Sequence, residues 1–97
     1  MQIGVCQLKL HLPEAESLKG KRHIVKSIVQ RVHNEFGVSA AEVGDLDLWQ
    51  LAELGFACVS NEGQHANEVL SRVVNFVERG WPELSLVDYE IEIVPVF

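Results

Sequence analysis

The side chains best equipped for chemistry are scattered rather than assembled. Glu42, Asp45, Asp47 and Glu53 gather around one short stretch. Neighbouring carboxylates move protons usefully only when burial and mutual repulsion keep one of them protonated. A turn rich in acids is otherwise a solvated surface. His11, His23, His33 and His65 lack the short spacings of a structural zinc site, so no metal or other cofactor is expected. Cys6 and Cys58 are too few for a disulfide framework and read as small, buried, reduced side chains on neighbouring strands. There is no nucleophile–base motif, phosphate-binding loop or dinucleotide fingerprint, and the expectation is a protein that binds rather than catalyses.

The clearest feature is cationic. Lys19, Arg22, His23, Lys26, Gln30 and His33 recur at helical spacing, opposite Val25, Ile28 and Val32. Arg31 flanks this stripe and Lys21 lies near its start. In a chain of net charge −6 this is a local basic face. It is either a solvated helix surface or a patch for RNA phosphates or an acidic partner. Trp49 is a further candidate contact, because tryptophan is enriched where partners dock; the alternative is that it packs on its own hairpin. Lys19, Lys21, Arg22, Lys26, Arg31 and Trp49 are therefore the candidate RNA- or partner-binding residues.

These residues need elements to position them. From Ile3 to Leu12 apolar and polar residues alternate, which predicts a half-buried strand ended by Pro13. Ser17 suits the N-cap of a helix whose apolar positions run from Leu18 to Phe36, with Gly37 as its left-handed stop. Val38–Val43 reads as a short strand, Gly44–Asp47 as a turn and Leu48–Ser60 as a long strand. Asn61, with Gln64 as its capping-box partner, starts a second helix. Its apolar stripe runs from Ala66 to Val77, and Gly80 and Pro82 end it, with Trp81 as a local cap. Val87–Val94 is the last strand.

The order β-α-β-β-α-β predicts an α+β, ferredoxin-like two-layer sandwich: an antiparallel sheet with two helices on one face, and the first strand between the third and fourth. Ninety-seven residues with 47% apolar content fit one domain, residues 1–97. No apolar run approaches a membrane span and no basic leader precedes an apolar stretch, so a cytoplasmic protein is expected. The open sheet face should carry Gln7, Lys9, His11, Glu53, Asp88, Glu90 and Glu92. Without central aromatics it makes a poor platform for stacked bases, though it could serve a homodimer.

Three blocks of the sequence resemble one family. Ser17-Leu18-Lys19-Gly20-Lys21-Arg22 is similar to the S-L-K-x-K-R opening of the YlxP-like family of small bacterial proteins. Val38–Gly44, with Asp47, Trp49-Gln50 and Ala52–Gly55, resembles its central motif, and Val87–Glu92 its C-terminal strand. The resemblance implies a ferredoxin-like fold, a bacterial cytoplasmic location and a frequent genomic setting beside translation-initiation and ribosome-maturation genes. It implies no catalytic residue. An RNA- or ribosome-associated factor using the basic helix is the leading expectation. The alternative is an interaction module that dimerises or docks through the sheet face and the Trp49 hairpin.

Overall fold

The computed structural model describes residues 1–97. Its elements are β1 (Gln2–His11), α1 (Leu18–Phe36), β2 (Ser39–Gly44), β3 (Leu51–Ser60), α2 (Gly63–Gly80) and β4 (Ser85–Pro95). The strands form one sheet in the order β2-β3-β1-β4, with every neighbouring pair antiparallel. This is the ferredoxin-like arrangement, with β1 between β3 and β4 as the sequence predicts.

The core lies between the sheet and the helices. Leu8 and Leu10 of β1 and Ala52, Leu54 and Phe56 of β3 are buried against Ile28 and Val32 of α1 and Leu70, Val73 and Val77 of α2. At about 25 cal/mol per Å² of apolar surface, this layer is the main source of stability. Gly4 lets α2 approach the sheet: a Cβ there would stand 2.9 Å from Leu70 Cδ1.

Local signals set most boundaries. The Ser17 hydroxyl accepts from the Gly20 N–H at 3.0 Å, and Gly37 closes α1 at φ 67°, donating to the His33 carbonyl. The second helix departs from expectation. It begins at Gly63 with Glu62 in the cap position and no side-chain cap, so Asn61 does not cap it. Instead the Ser60 hydroxyl accepts from the Glu62 N–H at 3.0 Å. The third strand is also shorter than expected. It starts at Leu51, because Asp45 takes a left-handed conformation at φ 56° and residues 45–50 form a loop. That loop is fixed to the sheet by the Leu12 N–H, which donates to the Gln50 carbonyl at 2.8 Å. Trp49 therefore sits on a loop, 53% exposed, beside exposed Leu46 and Leu48.

Candidate functional site

The outer face of α1 holds most of the predicted residues. Lys19, Arg22, His23, Lys26, Gln30 and His33 are all exposed. His23, Lys26, Gln30 and Arg31 share a shallow depression with Ser27 and Asn34, lined by no apolar or acidic side chain. From Lys19 to Arg31 the row covers about 18 Å of helix axis at 1.5 Å per residue. His33 Nδ1 stands 2.9 Å from the Val38 carbonyl, so it carries a proton and donates there.

Two of the candidate cations have other partners. Lys21 does not lie on the surface: it is wholly buried. Its Nζ lies 3.0 Å from Glu42 Oε2 and donates to the Asp45 carbonyl. Glu42 Oε2 and Asp45 Oδ2 are buried without a hydrogen-bond partner, although Lys9 Nζ approaches Asp45 Oδ2 at 3.9 Å. Both carboxylates thus rely on neighbouring charge. Lys21 cannot meet RNA or a partner without abandoning Glu42; it joins the start of α1 to the root of the β2–β3 loop. Arg31 has its guanidinium 4.7 Å over the Trp81 ring and 5.5 Å over Phe76. Trp81 and Phe76 meet edge to face at 5.9 Å, so Trp81 is the buried cap at the end of α2. Arg31 keeps its charge at the surface while its plane covers this aromatic pair.

The structure adds Arg72 and Arg79, which the sequence reading left aside. They line a shallow depression with Phe36 and Phe76 where the two helices end. Seven of the eight Lys and Arg residues thus stand on the helices, and only Lys9 is on the sheet. Glu68 and Glu78 interrupt the cations on α2, so the unbroken positive surface belongs to α1.

The carboxylates once grouped around the hairpin are split by the sheet. Glu42 pairs with Leu54 and faces the helices; Glu53 pairs with Lys9 on the open face. No three or more acidic, histidine or cysteine side chains come together to hold a metal ion. The cysteines are free but not directly opposed: Cys6 pairs with Phe56 and Cys58 with Gly4. Burial pushes the Cys6 thiol up to about 11. Burial also raises Cys58, which is half-buried, against an opposing backbone hydrogen bond from Gly4. A thiol held protonated at neutral pH is a poor nucleophile.

The open face of the sheet is uncovered. Its middle is a groove of about 500 Å³ floored by Ala41, Gly55 and Ala57, bordered by Val5 and Val43, with Glu90 and Glu92 along one side. Val43 leans over Gly55, where a Cβ would meet its Cγ1 at 2.8 Å. No helix of the structure is long and apolar enough to cross a membrane.

A family model described as "Protein of unknown function (DUF503)" matches residues 3–91. The "Uncharacterized protein YlxP" of Bacillus subtilis (strain 168) is 38% identical over 83 residues, covering 86% of this chain and 89% of that protein. Among solved structures, the de novo designed protein LFR1 1 with ferredoxin fold aligns with a TM-score of 0.58 at 13% identity, over 97% of this chain and 84% of the other. The de novo designed protein Foldit4 aligns with a TM-score of 0.55 at 9% identity, over the whole of both chains. At such identities the likeness concerns the fold alone. Function has to be argued from the surfaces.

Proposed function

Since the chain belongs to the DUF503 family of proteins of unknown function, we propose that it is a cytoplasmic accessory protein that binds RNA, free or within the ribosome, through the outer face of α1. The observation that carries this reading is the segregation of charge. Residues 18–36 hold five of the eight Lys and Arg residues and one of the fourteen Asp and Glu residues. Lys19, Arg22 and Lys26, one helical turn apart, present their charges along one edge, and Arg31 continues the row. Each phosphate met by such a cation releases a condensed counterion, so binding draws on a term that an acidic protein can supply only locally. The carboxylates of the open sheet face repel a polyanion, so RNA approaches from the helix side. Lys21 contributes by holding the helix start in place and not by contact. Trp49 stands at this same end of the molecule, because its loop is tied to α1 through Lys21 and Asp45, where it can meet a base or a protein neighbour.

The test is binding to total cellular RNA at low and at high salt. The wild type should bind at low salt, with affinity falling by a slope of about 0.7 to 0.9 per phosphate contact. Lys19→Ala/Arg22→Ala/Lys26→Ala should abolish binding. Absence of binding at low salt, or equal binding by the triple variant, reduces the face to solvated surface.

A further inference from the structure

We infer that the open face of the sheet is covered by a second copy of this chain, related by a two-fold axis parallel to the strands and running between β1 and β3. The inference rests on the register of the sheet and is independent of the RNA reading.

The face is costly to leave in water. Val5, Val43, Val59 and Val94 are exposed there, the last three at 54%, 67% and 39%. Four strands at about 4.8 Å spacing and ten residues at about 3.4 Å give roughly 600 Å² of projected face per copy. Two such faces together reach about 1,200 Å², the lower edge of a stable interface.

The register chooses the axis. On the open side, Ile3, Val5, Gln7 and Lys9 of β1 lie beside Val59, Ala57, Gly55 and Glu53 of β3. Beyond β1, β4 contributes Val94, Glu92, Glu90 and Asp88 in the same rows. Beyond β3, β2 contributes Ser39 and Ala41. A two-fold axis along the strands sets each copy's β1 over its partner's β3, and each β4 over β2, while every row stays level with itself. Gln7 then stands over Gly55, Val5 over Ala57 and Ile3 over Val59, so the larger side chain of two rows meets a small one. Lys9 stands over Glu53, and the symmetry makes this pair twice. Glu90 and Glu92 fall over Ala41 and Ser39 at the water-exposed rim. The other in-plane axis, across the strands, would lay β4 on β4 in reverse; centred on the middle row it sets Glu90 against its own copy and Asp88 against Glu92. Like charges so placed are strongly disfavoured. Aligned sheets pack about 10 Å apart at roughly −30°, and this rotation displaces least the rows at the centre of the face. Gln7 and Gly55 occupy the middle row, with Lys9 and Glu53 in the next.

Sedimentation equilibrium at low salt tests the arrangement through two charge reversals. Lys9→Glu and Glu53→Lys each place like charges at both symmetric pairs and should weaken the dimer by on the order of tenfold. An equimolar mixture of the two should recover affinity, because the heterodimer pairs Glu with Lys at both positions. Within each variant chain the two side chains remain alike in charge, so only contact between chains can produce the recovery. Ala57→Arg, which fills the groove, should leave a folded monomer by circular dichroism. The inference is overturned by a wild type that stays monomeric at concentrations on the order of 0.1 mM. It is also overturned by a mixture no tighter than its parts, or by a dimer indifferent to Ala57→Arg.

Discussion

The two broad faces of this molecule differ in what their exposed side chains demand of water. The outer face of α1 is cationic, polar and shallow; the open face of the sheet is valine-bearing, grooved and edged with carboxylates. A hydrated ammonium or guanidinium loses little by staying free, whereas contiguous valines lose about 25 cal/mol for each Å² left wet. The helix face can thus wait for a transient, salt-sensitive ligand. The sheet face calls for a standing cover. Charge divides the same way, with cations on the helix face and carboxylates edging the sheet face.

The sharpest test of this contrast lies underneath the helix. If both outer faces serve binding, substitutions there should spare the fold, and those at the buried side of α1 should not. Lys21→Ala is therefore expected to have the largest effect, a loss of about 3–5 kcal/mol in urea unfolding, because it strands Glu42 without its counter-charge. Lys21→Met combined with Glu42→Gln should recover most of that loss. A loss below about 1 kcal/mol for Lys21→Ala would show that water reaches the pair.

Next in size is a pH effect from the core. Cys6 ionises at about 11 in the folded protein, above the 9.0 of a free thiol. Between those values the unfolded chain has released its proton and the native chain has not. Stability from this residue is thus complete below pH 9 and falls as pH rises, at up to about 1.4 kcal/mol per unit. The fall should be shallower in Cys6→Ala, where the raised Cys58 thiol still contributes, when the two proteins are unfolded side by side at pH 8 and pH 10.5. Equal slopes would place the thiol in contact with water.

The smallest effect concerns the outer row. Lys19→Ala/Arg22→Ala/Lys26→Ala should change stability by less than about 0.5 kcal/mol, leave self-association unaltered and remove the proposed RNA binding. If the same variant also dissolved the dimer, the separation of the two faces would fail.

Much of this was readable from spacing. Alternation along Ile3–Leu12 and the Ser17 and Gly37 signals around α1 lead directly to β1, α1 and their packing. The start of β3 differs from the sequence expectation for a physical reason: no glycine or proline interrupts Leu48–Leu51, and only the left-handed turn at Asp45 removes Leu48, Trp49 and Gln50 from the sheet. Lys21 was missed for a simpler reason. It precedes Val25 by four residues and Ile28 by seven, at the centre of the buried stripe, but its charge argued for the surface. The wheel position was the better guide, because Glu42 waits on the strand beneath. Pairings of that kind join residues far apart in the chain and leave no mark in local periodicity. The proposed face-to-face match of β1 with β3 is hidden likewise, since it emerges only once the register is known.

The burial of Lys21 also makes it a clock. Lys19 and Lys26 offer their amines to solvent, whereas Lys21 is enclosed. An acylating reagent would tag the first two in the native protein within its ordinary reaction time. It would reach Lys21 only when the start of α1 parts from the root of the β2–β3 loop. The lag of that one amine behind its two helix neighbours is then a direct measure of how often the molecule opens at this seam, and of whether ligands at either face hold it shut.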